Sequence, residues 1–177
     1  MPNLTNDTWL DFILDIVNNA HHWPPTHECW YYLAYNLLLT YCFQFDTLPI
    51  CLLVYLQAPP YPHSLNRIDF IVTSCNPNGG PLLFVKVKDD HWAESPTLQL
   101  QADQQMRQQL KDLWCKCQVP TLWGLSLLGT FLWIYCCNIA NGLMMLACIC
   151  QLAYAGQTHF GVLASFLTEA WDLPITS

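Results

Sequence analysis

Between residues 117 and 168 the chain carries no Asp, Glu, Lys or Arg. A solvated loop or disordered tail needs charge and little apolar surface, so this run must be buried in protein or in lipid. A membrane-spanning helix needs about 20 mostly apolar residues. Residues 133–154 approach that, but Asn138, Asn141, Gly142 and Gln151 interrupt them. Just upstream, 121–127 and 131–138 read as two apolar strands joined by a turn at Leu128-Gly129-Thr130. The reading therefore favours burial in a sheet. A single-pass or peripheral membrane protein using 133–154 is the alternative, with Lys111 and Lys116 keeping their side in the cytosol.

The rest of the charge is equally uneven. All six basic residues lie between positions 67 and 116, and the first 66 residues carry only acids and histidines. Charged residues make up 11% of the chain, against about 25% in average domains. Hydrophobic residues reach 53%, which excludes general disorder. A net charge of -7 excludes a sequence-independent nucleic-acid coat, and any anion chemistry belongs to the basic middle. At 177 residues the chain holds one domain with a sizeable core.

The first residues lack Lys and Arg and include Asp7, Asp11 and Asp15, unlike a secretory or mitochondrial leader. A cytoplasmic or nuclear location is expected, with the membrane as the alternative. The ten cysteines then read as reduced, buried thiols. Pairs such as Cys115 and Cys117, or Cys136 and Cys137, are spaced too closely for ordinary structural zinc sites.

Periodicity predicts helices over 4–20 and 28–45, a strand over 50–56, and a hairpin of strands 67–73 and 82–88 turning at 76–80. Ser95 and Pro96 open another helix, with Leu98, Ala102, Met106, Leu110 and Trp114 as its buried stripe. Beyond 138 the pattern is ambiguous, with a helix over 160–170 as one option. The expected fold class is α/β, a mixed central β-sheet flanked by helices. Its expected parts are an N-terminal helical extension (1–27), a core (28–138) and an apolar C-terminal segment (139–177).

Residues two apart in a strand share a face, so Lys86 and Lys88 project together, away from Val85 and Val87. Asp69 falls on the preceding strand. A salt bridge between Asp69 and one lysine is the plain structural explanation. The order Arg67-Ile68-Asp69-Phe70, then Pro81-Leu82-Leu83-Phe84-Val85-Lys86-Val87-Lys88-Asp89, resembles the core of restriction-endonuclease-like proteins, the PD-(D/E)XK superfamily. A longer pattern resembles a group of uncharacterised proteins of mushroom-type fungi. It runs through Ala102-Asp103-Gln104-Gln105-Met106-Arg107, Val119-Pro120-Thr121-Leu122-Trp123-Gly124-Leu125-Ser126 and Leu128-Gly129-Thr130. Together they cover roughly residues 28–135.

In that family an Asp and a Glu on neighbouring strands hold a divalent metal, and a Lys two residues after the Glu serves the attacking water. By position the resemblance implies Asp69 as metal ligand and Lys88 as the lysine, but Lys86 stands where the Glu belongs. An ammonium has no lone pair for a cation, and a like charge at about 4 Å costs roughly 4 kcal/mol at an effective dielectric of 20. The residues expected at a catalytic site are thus Asp69, Lys86 and Lys88. Glu28, on the first core helix, would be the substitute metal ligand beside Asp69; Asp90, Asp103 and Gln104 are weaker options. Arg67, Gln104, Arg107 and Lys111 are candidate nucleic-acid contacts. His21, His22 and His27 read as loop residues, and the run Trp30-Tyr31-Tyr32 reads as core. The expectation is a catalytically impaired nuclease-fold protein that retains nucleic-acid or protein binding and needs no cofactor. The alternative is an active Mg²⁺-dependent nuclease with a relocated ligand.

Overall fold

A computed structural model describes residues 15, 16, 19, 29–43, 52–56, 68–74 and 80–151. Helix α1 is Cys29–Phe43, followed by strands β1 (Leu52–Leu56), β2 (Phe70–Ser74) and β3 (Pro81–Lys88). Helices α2 (His91–Glu94) and α3 (Pro96–Trp114) lead into β4 (Thr121–Leu128), β5 (Phe131–Asn138) and β6 (Leu143–Gln151). The six strands form one sheet in chain order, so the α/β class with a mixed sheet is observed. Only β3 and β4 run parallel; the other four pairings are antiparallel. A parallel pair cannot close through a tight turn, and the crossover is supplied by α2 and α3.

Alternation along the strands divides the core in two. Leu83, Val85 and Val87 of β3 pack with Leu125 and Leu127 of β4 under Tyr31, Tyr35 and Leu38 of α1. Phe84 packs on the other face with Leu122 and Tyr135 under Met106, Leu110 and Leu113 of α3. Gly124 is needed beneath α3: a Cβ there would lie 2.9 Å from the Met106 methyl and 3.0 Å from the Phe84 ring. Among the described residues α1 covers one face, with the helical Ile16 packed against the same cluster, and α3 covers the other, as the doubly apolar strands require.

The α3 stripe departs from expectation at its end. Leu113 is buried, whereas Trp114 is 36% exposed and rests against Gly142. Steps of four residues overshoot a 3.6-residue turn by about 40° each, so by the last turn the inward position has moved back one residue. Ser95 is the N-cap residue and Pro96 opens the helix, but the Ser95 hydroxyl makes no cap hydrogen bond.

Residues 133–151, where one apolar helix was an option, instead form most of β5 and all of β6, two antiparallel strands of the sheet. Among the described residues no helix is long and apolar enough to cross a membrane. Asp15, Ile16 and Asn19 are helical, within the helix expected over 4–20. The remainder of that helix, His21, His22, His27, the turn at 76–79 and the helix expected over 160–170 lie outside the described residues.

Candidate functional site at the end of strand β3

Strand β2 begins at Phe70, one residue after Asp69 and three after the start expected from the sequence. The cause is the Asp69 side chain. Its backbone N–H still donates to the Val85 carbonyl at 3.1 Å, but its carboxylate Oδ2 accepts the Val87 N–H at 2.7 Å. A side chain has taken the place of a ladder carbonyl, so regular pairing stops there. Asp69 is 4% exposed, a depth at which a carboxylate must be well provided with donors.

Two more donors reach the other oxygen. The Tyr32 hydroxyl, from α1, donates to Asp69 Oδ1 at 3.0 Å, while the Tyr32 ring meets Phe70 edge-on. The Lys86 ammonium lies 3.4 Å from the same Oδ1. The salt bridge expected as the plain explanation of these charges is therefore present, and its partner is Lys86. An amide, a phenol and an ammonium thus take three of the roughly four acceptor sites of the carboxylate.

Lys86 and Ser126 are partners in the parallel β3–β4 register, and Ser126 pairs with Trp133 across β4–β5. Lys86, Ser126 and Trp133 share the face under α3, whereas Asp69, just before its strand, is reached both by Lys86 and by Tyr32 of α1. Ser126 is fully buried, and among the described residues its Oγ has no hydrogen-bond partner. Lys88, two residues on, carries its ammonium over the Trp92 ring, 4.8 Å from the centroid. That cation–π contact draws Lys88 toward α2.

A second carboxylate lies just past the strand. Asp90 Oδ2 accepts the Tyr31 hydroxyl and Oδ1 accepts the Thr130 N–H at 3.0 Å. Gly129, in the β4–β5 turn, donates its N–H to the Lys88 carbonyl at 2.8 Å and accepts the Tyr35 hydroxyl on its own carbonyl at 2.9 Å. With φ +57°, Gly129 also leaves room for Asp90: a Cβ there would fall 1.8 Å from Asp90 Oδ1. Burial and the Asp90 hydrogen bond push the Tyr31 phenol well above its ordinary 10.0.

The remaining candidates separate from this centre. Asp103 accepts Arg107 Nε at 2.8 Å and the Tyr135 hydroxyl at 3.1 Å, forming its own cluster between α3 and β5. Gln104 and Lys111 are exposed on α3, with Arg107 half-buried between them. Glu28 and Arg67 lie outside the described residues. Among the described residues no group of three or more His, Cys, Asp or Glu side chains could hold a metal ion. Cys136 and Cys137 are buried free thiols, but Cys115 is exposed because it follows the last turn of α3.

Tyr32, Tyr31 and Ser126 are components that sequence reasoning did not assign to the site. The tyrosines were assigned to the core by their apolar neighbours. That assignment holds for the buried Tyr31 ring, yet its hydroxyl and that of Tyr32 each end on a carboxylate. Comparison with protein-family models, curated proteins and solved structures finds no match to this chain.

Proposed function

We propose that this chain is a restriction-endonuclease-like protein in which an internal ion pair replaces the catalytic metal, leaving a non-cleaving protein that acts by binding nucleic acid. The observation that carries the reading is the Asp69 carboxylate, which accepts from Val87 and Tyr32 and pairs with Lys86. In the family that the sequence resembles, this carboxylate would face a metal and position 86 would be a second ligand. Here Lys86 supplies the positive charge itself and needs no cofactor. Supporting features are the mixed sheet between helices, the Asp immediately before one strand, and Lys88 near the end of the next. All six basic residues lie between positions 67 and 116, among six acids, and the exposed Lys111 and Lys116 at the end of α3 are the groups that would meet phosphate.

Incubation with plasmid and Mg²⁺ or Mn²⁺ tests the loss of cleavage, with Asp69→Ala as control. The expected result is no cleavage by either protein. Cleavage by the wild type that Asp69→Ala abolishes would establish the active alternative, with a ligand such as Glu28 recruited to the site. Titration of single-stranded and duplex DNA across salt tests binding. Affinity should fall as salt rises, because phosphate contacts release counterions. No binding, or binding insensitive to salt, would remove nucleic acid as the partner.

A further inference from the structure

We infer that Asp90 is a positioning residue for the Asp69–Lys86 pair, acting through helix α1. The inference rests on that pair being the working centre of the protein. Asp90 is well placed for this role because its two carboxylate oxygens bind two different elements. One holds Tyr31 on α1; the other holds the Thr130 amide in the β4–β5 turn. Asp90 also lies at the N-terminal end of α2, two residues after Lys88. It therefore fastens together the end of β3, the tip of the β4–β5 hairpin and the first part of α1.

The next residue of α1 carries the effect to the pair. Tyr31 and Tyr32 are consecutive, so a lift of this turn of α1 that frees the Tyr31 hydroxyl also withdraws the Tyr32 hydroxyl from Asp69 Oδ1. Tyr35, one turn further, bonds the Gly129 carbonyl and fixes the same helix to the same hairpin tip. Three tyrosine hydroxyls from adjacent turns of one helix thus end on Asp69, Asp90 and Gly129. Among the groups facing Asp90 are Tyr31 from α1 and Thr130 and Gly129 from the hairpin, with Asp89 adjacent in the chain. The buried stripe of Tyr31, Ala34, Tyr35, Leu38 and Leu39 sets which face of α1 meets the sheet. The hydroxyl-to-carboxylate bonds hold its Tyr31–Tyr32 turn in place.

The Val87 amide reports the outcome, because its N–H ends on Asp69 Oδ2 at 2.7 Å. Residue-resolved amide exchange by NMR on the full chain would compare wild type, Asp90→Ala, Asp90→Asn and Tyr31→Phe. Asp90→Ala should lower protection of the Val87 amide about tenfold or more, with the β4–β5 ladder amides unchanged. Asp90→Asn, which retains an acceptor oxygen, should recover most of it. Tyr31→Phe removes one hydroxyl without changing the packed ring and should lower Val87 protection in the same direction. It decides the matter if Asp90→Ala does not fold. Unchanged Val87 protection in folded Asp90→Ala or in Tyr31→Phe would overturn the inference, as would loss of protection uniform across the sheet. DNA binding and cleavage do not enter this readout, so its failure is distinguishable from failure of the proposed function.

Discussion

At the scale of single residues, the account turns on which groups are satisfied. Asp69 accepts from three donors, and its removal should be costly because Val87 N–H loses this acceptor and Lys86 loses this carboxylate. Asp69→Ala should destabilise the fold by about 2–4 kcal/mol, read from denaturant unfolding. A loss under about 0.5 kcal/mol would mean the carboxylate is not held as described. Ser126 is the opposite case. Its buried hydroxyl has no partner among the described residues, so Ser126→Ala should leave stability unchanged or raise it by up to about 1 kcal/mol. A clear loss would reveal a bond to Ser126 that the described contacts lack.

At the scale of elements, the glycine of the β4–β5 turn is the sharpest test. Gly129→Ala would combine positive φ with a Cβ inside the Asp90 carboxylate. It should cost about 2 kcal/mol or more in thermal or denaturant unfolding; Gly80, which has no positive φ, is constrained instead by backbone, since a Cβ there would lie 2.1 Å from the Lys116 carbonyl oxygen and 3.1 Å from the Gln118 nitrogen. The strands, the α3 helix and the β2–β3 hairpin were legible because apolar spacing and turn residues are local signals. The shortened start of β2 was not, since it depends on the Asp69 side chain binding a neighbouring strand. Nor was the phenol network, because Tyr31 and Tyr32 look like core residues until α1 is placed over the sheet. Strand β6 was ambiguous for a different reason. Its sequence is apolar on both faces, and its register slips opposite Ile134 and Tyr135, so alternation is broken. The meeting of Asp69 with Lys86 was legible in outline from strand parity. The turn of Lys88 onto Trp92 was not, because α2 brings that ring back only after the chain has left the strand.

At the scale of the whole molecule, the buried phenols and thiols dictate a response to alkali. Tyr31 and Tyr135 are both pushed far above their ordinary 10.0, each chiefly by burial. Burial also raises Cys117, Cys136 and Cys137 above 9.0. All five are neutral when protonated, and the unfolded chain loses those protons at lower pH than the fold does. Their contribution to stability is therefore complete below about pH 9 and declines as pH rises through 9 and 10. Unfolding midpoints should fall steeply above pH 10, with part of the tyrosinate absorbance appearing only as the chain unfolds. Full tyrosine ionisation in a still-folded protein would contradict the burial of Tyr31 and Tyr135. The most direct test of the central claim, that Lys86 holds the place of a metal ligand, is the effect of Mg²⁺ and Mn²⁺ on the melting temperature of Lys86→Glu. The account predicts that the variant melts below wild type without metal, because two carboxylates then adjoin, and that millimolar Mn²⁺ raises its midpoint while leaving wild type unmoved. A variant indifferent to both ions would contradict it.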